Sequence, residues 1–494
     1  MKDVIQFLFR GRIEEVIQPL PNLTVLNWLR ERQGATGTKE GCAEGDCGAC
    51  TVLVGSLHSG KLEYRPVNAC IRFLPTLDGT HLITIEDLMS DDLLHPIQKA
   101  MVEHHGSQCG FCTPGIIISL FGLYLEKSRS ITGLTRKEID DALAGNLCRC
   151  TGYGSIISAA YDAFSSKRSG WVEKNIQETT SLVESIRPKK GVTLDAHHQL
   201  YFAPTTLEHA LGLVKAYPDA TLLSGGTDIA LQVTKRFDRL DKIIYLGQIE
   251  HLKSISKSNE GWTLGSGVTF SQIMGISDQI HPHLLATLER VGSVQIRNAG
   301  TIGGNIANAS PVGDLSPLLM CLNAVLTLRT NEASRKLPIE EFFIEYGKTA
   351  LRSGELIESI FIPRLPANSR FSSYKVSKRH DQDISTLLGA FRVDIDQGVI
   401  IKVIIAFGGM AEIPKRADNC EQALHQQPWS QAILASAAEQ LSNDYSPIDD
   451  FRGSAKYRSR VAVNLLHRFW LEQANPEIPH RINYYPDNIV NDHA

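Results

Sequence analysis

The residues with the clearest chemistry are eight cysteines in the first 150 positions, which fall into two sets with different spacings. The first set runs C-x4-C-x2-C through Cys42, Cys47 and Cys50, and Cys70 follows at a distance. This spacing is typical of plant-type [2Fe–2S] clusters. A structural zinc site is the alternative, but zinc sites usually pair one short-spaced knuckle with another. The single distant Cys70 therefore favours an iron–sulfur cluster.

Glycines in the same segment fit this interpretation. Gly41, Gly45 and Gly48 alternate with the first three cysteines. A loop that wraps a cluster must turn its backbone N–H groups towards negatively charged sulfurs, and glycine permits the positive φ angles and close approach that this requires.

The second set combines a C-x2-C pair, Cys109 and Cys112, with a C-x-C pair, Cys148 and Cys150. Each pair stands just before a predicted helix, whose N-terminal N–H groups and dipole favour the negative charge of a thiolate-rich cluster. A four-cysteine zinc site is again the alternative. Zinc has no redox chemistry, whereas a second iron–sulfur cluster beside the first makes a path for electrons.

Two Gly-Gly turns carry the remaining candidate chemistry. Neither is a G-x-G-x-x-G Rossmann turn. With hydroxyl neighbours, the two turns could hold a pyrophosphate from both sides through backbone N–H groups, although paired glycines are often only structural. The candidate binding residues are Leu222, Leu223, Ser224, Gly225, Gly226, Thr227, Asp228 and Ile229 in the first turn and Thr301, Ile302, Gly303, Gly304 and Asn305 in the second.

The elements that position these residues are predicted from composition and pattern. The 494 residues, 43% hydrophobic and 21% charged, suggest several globular domains. Fifty basic residues nearly balance 54 acidic ones without a Lys/Arg-rich block, which argues against a nucleic-acid partner. No apolar run reaches the roughly 18 residues of a membrane span. The first apolar stretch is too short for a signal peptide, so we expect a cytoplasmic protein with reduced thiols.

Residues 1–90 alternate strand patterns with one short helix that Thr24 can cap. Residues 91–165 read as helical, with Thr113-Pro114 as one helix start and a capping box at Thr135. Residues 166–198 are polar and irregular, and we predict a linker there. Mixed α+β domains are predicted over 199–368 and 369–477, followed by a tail at 478–494.

A family resemblance gives these patterns a more specific meaning. The segments Cys-Gly-Phe-Cys-Thr-Pro-Gly at 109–115 and Gly-Asn-Leu-Cys-Arg-Cys-Thr-Gly-Tyr at 145–153 resemble the [2Fe–2S]-binding helical domain of the xanthine dehydrogenase family of molybdenum hydroxylases. The resemblance implies a multidomain α+β chain. Its expected parts are a β-grasp ferredoxin domain, an all-α four-helix [2Fe–2S] domain, an α+β FAD-binding domain of the non-Rossmann PCMH type and an α+β C-terminal flavoprotein domain.

The two Gly-Gly segments and the later 309–314 segment also resemble FAD-binding parts of this family. By that resemblance Asp314, Ile357 and Lys375 contact the flavin, its ribityl chain or its adenosine. Val291 occupies a position that is aromatic in some relatives. Gln108 matches a family residue that lies near the molybdenum cofactor of the partner domain, and its alternative is an ordinary polar loop residue.

The resemblance implies an NAD-dependent oxidoreductase, specifically the small subunit of a two-subunit xanthine dehydrogenase. A molybdopterin-binding large subunit would oxidise hypoxanthine and xanthine to urate, with two small and two large chains in a heterotetramer. Electrons would then pass through two [2Fe–2S] clusters to FAD and NAD, and this chain would carry no catalytic residue of its own. One alternative is the small subunit of a molybdenum hydroxylase acting on an aldehyde or N-heterocycle. Another is a self-standing iron–sulfur flavoprotein.

Other candidates are assigned no role. Cys321 lies in an apolar stretch and is interpreted as a small buried hydrophobe. Cys420 has no cysteine neighbour in sequence. The pairs His104-His105 and His197-His198 do not suit a metal, because adjacent side chains on a regular element point apart.

Overall fold

The computed structural model describes residues 2–89, 93–127, 133–165, 171–475 and 477, so the predicted tail at 478–494 lies outside the described residues. The chain forms two compact units. The first unit comprises Met1–Leu252, Thr269–Ser271 and Gly292–Thr301, and the second comprises Lys253–Val268, Gln272–Val291 and Ile302–Ala494. The predicted FAD-binding domain, 199–368, is thus divided between the units.

The first unit begins with a five-stranded sheet in the order β2-β1-β5-β3-β4, where β1 and β5 are parallel and the other pairs antiparallel. Trp28 anchors its core, with edge contacts to Phe7 at 5.2 Å and Phe9 at 5.3 Å. Thr24 caps the first helix as predicted. The β-grasp expectation is confirmed. The elements are β1 (Val4–Phe9), β2 (Arg12–Ile17), the helix Val25–Asn27, the π-helical turn Trp28–Arg32, β3 (Thr51–His58), β4 (Lys61–Asn68), β5 (His81–Ile83), and 3-10 turns Ala69–Ile71, Leu74–Leu77 and Ile85–Asp87.

Four helices follow and confirm the predicted all-α domain. The second of them is buried along most of its length, as its apolar sequence Ile116 to Leu125 requires. At the start of the third helix, the Thr135 hydroxyl accepts from the Glu138 N–H. The Glu138 carboxylate in turn accepts from the Thr135 backbone N–H, which completes the predicted capping box. The four helices are Pro96–Glu103, Thr113–Lys127, Arg136–Leu143 and Gly154–Ser165.

His95 gives this helical domain a pH-dependent stability. Its Nδ1 accepts from the Ile97 N–H at the start of the first helix, and its ring packs edge-on against Phe121 and Tyr124. The side chain is 4% exposed, and burial lowers the pKa of His95 to about 4. The unfolded chain binds this proton near pH 6.5. Stability is therefore full above pH 6.5 and is lost as the pH falls towards 4, by about 2 kcal/mol at pH 5.

Asparagine at position 95 can still cap the helix but does not titrate. We therefore expect His95→Asn to show a smaller difference than wild type between its urea unfolding midpoints at pH 7.5 and pH 5, followed by helicity. His81 has its pKa lowered to about 4 by burial as well, so part of the wild-type pH dependence remains. An unchanged pH dependence in His95→Asn would contradict the assignment.

The predicted linker, 166–198, is the clearest error of the sequence analysis. Residues 166–170 lie outside the described residues, but a helix covers Trp171–Ser185 and β6 covers Val192–Ala196. Val183 of the helix is fully buried with Leu8 and Leu62 of the ferredoxin sheet. Among residues 176–185 of this helix only Val183 is buried, which explains why the segment looks polar in sequence.

The remainder of the first unit is a four-stranded sheet in the order β6-β7-β9-β8. Leu194 and Tyr201 from this sheet share one hydrophobic core with Phe7 and Trp28 of the ferredoxin domain. Lys2 forms an isolated parallel bridge with Val192, which joins the two sheets. Its elements are β7 (Gln199–Ala203), β8 (Thr221–Leu223), β9 (Lys242–Tyr245), and helices or turns Leu207–Ala216, Ile229–Thr234, Glu250–Lys253 and Val294–Ala299.

The second unit contains two antiparallel sheets, in the orders β10-β11-β16-β12-β13 and β17-β18-β19-β20, and the hairpin β14-β15. The long helix Ala455–Ala474 packs its Phe469 on Phe391 of the second sheet. The strands are β10 (Ile255–Lys257), β11 (Gly261–Gly265), β12 (Val325–Arg329), β13 (Ser334–Pro338), β14 (Phe343–Glu345), β15 (Lys348–Thr349), β16 (Leu356–Pro363), β17 (Ser369–Val376), β18 (Leu387–Asp396), β19 (Val399–Gly408) and β20 (Lys415–Arg416). The helices are Phe270–Ile280, Pro282–Leu288, Ile302–Ala307, Leu315–Cys321, Ile339–Glu341, Asp418–Leu424, Gln431–Ala438, Leu441–Asp444 and Ala455–Ala474.

Within the described ranges, none of the helices combines the length and apolar character that crossing a membrane requires.

Candidate functional site: two cysteine clusters and two glycine turns

The loop before β3 carries Cys42, Cys47 and Cys50, and the 3-10 turn Ala69–Ile71 after β4 carries Cys70. Cys50 and Cys70 are buried, and their Sγ atoms lie 3.2 Å apart. The sulfur of Cys42 accepts from the backbone N–H groups of Glu44, Asp46 and Cys47 at 3.3–3.4 Å. This is the arrangement that a negatively charged metal-bound sulfur needs.

Backbone conformation explains the glycines of this loop. Gly45 and Gly48 have φ angles of +80° and +68°, in the region that other residues rarely adopt. A Cβ on Gly48 would stand only 1.9 Å from the carbonyl oxygen of Gly145. Only glycine fits there, because the loops carrying Cys47 and Cys148 touch at this point.

Hydrogen bonds favour the thiolate form of Cys42. The neighbouring thiols of Cys47 and Cys70, followed by the backbone N–H groups of Cys47 and Glu44, hold the pKa of Cys42 well below its ordinary value. The same thiol contacts and burial raise the pKa of Cys47 and Cys70. Four thiolates at these positions would repel one another, and a positively charged iron core would relieve that repulsion.

The second cysteine set meets at the ends of two helices. Cys109 and Cys150 are exposed, with Sγ atoms 3.6 Å apart, while Cys148 is buried and its sulfur lies 3.1 Å from the Thr151 hydroxyl. Burial, followed by the Cys148 neighbour, raises the pKa of Cys112 to about 12. The predicted helices follow both pairs: one begins at Thr113, directly after Cys112, and the other at Gly154, four residues after Cys150. The set therefore has one buried and one exposed edge.

In the described residues, no group of three or more His, Cys, Asp or Glu side chains is arranged to hold a single metal ion. The donors are thiols throughout both sets, and the first set adds N–H groups directed at sulfur. This donor chemistry fits an iron–sulfur cluster with bridging sulfides, and the eight cysteines remain its predicted ligands.

A polar network joins the two cysteine loops. The Leu147 N–H donates to the Cys47 carbonyl at 2.9 Å, and the Asn146 amide donates to the Gly48 carbonyl at 3.1 Å. Gln295, 1% exposed, completes the network from a distant part of the sequence, because its Nε2 lies within 3.1–3.3 Å of three oxygen acceptors. Those acceptors are Thr51 Oγ1, Ser119 Oγ and Asn146 Oδ1. The relative position of the cysteine loops is thus fixed by direct hydrogen bonds.

The first glycine turn lies in the first unit, between the end of β8 at Leu223 and the helix that begins at Ile229. Thr301, the first residue of the second predicted segment, also belongs to this unit and donates its hydroxyl to Ser224 Oγ at 3.3 Å. The structure therefore brings Thr301 to the 222–229 segment, although no nucleotide geometry follows from this contact alone.

The other predicted flavin residues lie in the second unit. Gly303, the second residue of the helix Ile302–Ala307, donates its N–H to the Ser266 carbonyl at 2.9 Å. Asn305 in the same helix has a buried Oδ1 without a hydrogen-bond partner in the described chain. A buried, unpaired acceptor suits a bound polar ligand. Lys375 pairs with Asp314 at 2.5 Å, both nearly inaccessible to solvent.

Ser385 donates to the other oxygen of Asp314, and the sequence analysis missed it because nothing in its local pattern distinguishes it. Ile357 is buried in β16. Gln108 is exposed, and Val291 is half-buried.

Gly225 offers a direct test of the first turn. An added Cβ would stand 2.0 Å from the Ala299 carbonyl oxygen, so Gly225→Ala forces the turn away from the helix Val294–Ala299. We expect the purified variant to contain several-fold less FAD per iron, measured by flavin absorbance and iron analysis. Gly275→Ala is the matched control, since a Cβ there meets nothing within 4 Å. Normal flavin content in Gly225→Ala would contradict the role of this turn.

Comparison with known proteins agrees with this architecture. Four family models match in order along the chain: a 2Fe-2S iron–sulfur cluster binding domain at 11–73, a [2Fe-2S] binding domain at 84–161, the FAD binding domain in molybdopterin dehydrogenase at 194–365, and the CO dehydrogenase flavoprotein C-terminal domain at 372–473. The matched domains define an iron–sulfur flavoprotein.

Two relatives and one solved structure illustrate the similarity. A xanthine dehydrogenase of Emericella nidulans is 30% identical over 535 residues, covering 95% of this chain and 38% of the relative. Aldehyde oxidase 1 of Bos taurus is 29% identical over 511 residues, covering 92% of this chain and 38% of the relative. A carbon monoxide dehydrogenase chain of Hydrogenophaga pseudoflava matches with a TM-score of 0.52 and 25% identity, covering 54% of this chain and 94% of that one.

The chain belongs to the molybdenum hydroxylase family and carries its iron–sulfur and FAD-binding domains. It spans less than two fifths of the length of the two relatives described above. Domains of these kinds bind redox groups: iron–sulfur clusters in the first two and a flavin in the third.

Proposed function

We propose that this chain is the electron-transfer subunit of a xanthine dehydrogenase. Electrons from hypoxanthine or xanthine, oxidised to urate at a molybdopterin site on a large partner subunit, would pass through two [2Fe–2S] clusters to FAD and then to NAD. The observation that carries the proposal is the pair of adjoining cysteine loops, linked by the Leu147–Cys47 hydrogen bond within one compact unit.

The site assignments belong to the same proposal. One cluster is held by Cys42, Cys47, Cys50 and Cys70, and the other by Cys109, Cys112, Cys148 and Cys150. The predicted FAD-binding residues remain the 222–229 and 301–305 segments, Asp314, Ile357 and Lys375. Iron–sulfur clusters carry single electrons, whereas a flavin collects two and can transfer a hydride to NAD. The exposed edge of the second cluster, at Cys109 and Cys150, suits electron entry from a partner.

The choice of substrate has one competitor with a specific basis. Aldehyde oxidase 1 of Bos taurus is nearly as similar to this chain as the xanthine dehydrogenase of Emericella nidulans. An aldehyde-oxidising complex would use the same relay, because the substrate binds on the molybdenum side.

Purification of the intact complex from its native host tests the proposal. We expect a large chain and molybdenum to accompany this chain, and reduction of NAD by xanthine and hypoxanthine. Oxidation of aldehydes in place of purines would favour the competitor. A preparation without a large chain and without molybdenum would contradict both.

A further inference from the structure

Lys235 contacts the loop of the first cysteine set, although it is almost two hundred positions away in sequence. It stands at the C-terminal end of the helix Ile229–Thr234, where its own N–H donates to the Leu231 carbonyl. Its Nζ lies 3.1 Å from the carbonyl oxygen of Cys42 and 3.2 Å from a carboxylate oxygen of Glu44. All of these residues belong to the first unit.

The ammonium charge of Lys235 therefore lies close to the cluster that Cys42 is proposed to bind. The loop contributes its own negative charges through Glu44 and Asp46. Reduction adds a further negative charge to an iron–sulfur cluster, so a nearby ammonium group stabilises the reduced form more than the oxidised form. The side chain of Lys235 is 45% exposed, and solvent therefore weakens but does not remove this interaction.

We propose that Lys235 raises the reduction potential of the first cluster and so makes it a better acceptor for electrons from the second. This inference rests on the proposed function, since it requires a cluster on Cys42, Cys47, Cys50 and Cys70. Lys235 is a positioning and electrostatic residue, not a ligand. It extends from the helix that follows the first glycine turn, so the flavin half of this unit would tune the cluster that delivers electrons to the flavin.

A redox titration of the purified full chain, followed by electron paramagnetic resonance, tests this inference. For Lys235→Gln we expect the equilibrium constant for reducing the first cluster to fall three- to tenfold. This corresponds to a potential lower by about 28 to 59 mV for one electron. The second cluster should keep its potential and serves as the internal reference. Lys235→Arg retains the charge and should restore most of the wild-type value.

Two further variants test whether the shift depends on the charge pair of Lys235 and Glu44. Glu44→Gln removes the partner carboxylate and should raise the same potential. Lys242→Gln removes a lysine of the same unit that pairs with Asp219 instead, and should shift neither cluster. The effect of Lys235→Gln should also shrink at high salt, because the ammonium group is partly exposed.

Several results would overturn the inference: no shift in Lys235→Gln, equal shifts of both clusters, or a shift in Lys235→Arg as large as in Lys235→Gln. Failure of the proposed function gives a different result. If the first cluster is absent, wild-type chain shows no corresponding signal to titrate and its iron content is halved.

Discussion

We expect Cys148→Ser to remove one of the two cluster signals in electron paramagnetic resonance while leaving the other signal and the flavin in place. Cys148 is 6% exposed, and its backbone N–H is fixed by the Tyr153 hydroxyl at 2.7 Å. A serine hydroxyl is a much poorer anion than a thiolate and does not match the preference of iron–sulfur clusters for sulfur ligands. Iron content should fall from about four to about two atoms per chain.

Cys420→Ser is the matched control, because Cys420 is fully buried but belongs to neither set. It should retain both signals and all of the iron. Survival of both signals in Cys148→Ser would show that Cys148 is not a ligand of the second cluster.

We expect Gln295→Leu to loosen both cysteine loops at once. Its Nε2 carries two hydrogens and lies within hydrogen-bond distance of Thr51, Ser119 and Asn146 in a site closed to water. Leucine has a similar volume but no donor. Thr51 Oγ1, Ser119 Oγ and Asn146 Oδ1 each keep another hydrogen bond, so the expected loss is that of the two bonds that the Gln295 amide can donate. Each such bond contributes about 0.5–1.5 kcal/mol, so we expect a loss of about 1–3 kcal/mol, seen as a lower urea midpoint for the bleaching of cluster absorbance.

Gln177→Leu provides the comparison, because Gln177 is exposed on the helix Trp171–Ser185. Surface substitutions of this kind usually change stability by less than about 0.5 kcal/mol. Equal midpoints for Gln295→Leu and wild type would contradict the proposed role of the Gln295 network.

The spacing of cysteines and the capping signals predicted much of this molecule. C-x4-C-x2-C, C-x2-C and C-x-C report local loops, in which neighbours in sequence are also neighbours in space. The capping box at Thr135 depends on residues only three positions apart. Such signals can be read without knowing the fold.

Long-range contacts could not be predicted in this way. Gln295 meets Thr51 across 244 positions, and Lys235 meets Cys42 across 193 positions. The sequence around Gln295 and around Lys235 contains no motif that indicates these contacts. The predicted linker failed for a related reason: Val183 finds its hydrophobic partners in β1 and β4, far away in sequence.

An anaerobic reductive titration of the purified chain tests the central claim most directly. Two [2Fe–2S] clusters that each accept one electron, and one FAD that accepts two, predict an uptake of about four electrons per chain. Two distinct cluster signals should appear together with bleaching of the flavin. An uptake of two electrons or fewer, or cysteine-bound zinc in place of iron, would contradict the account.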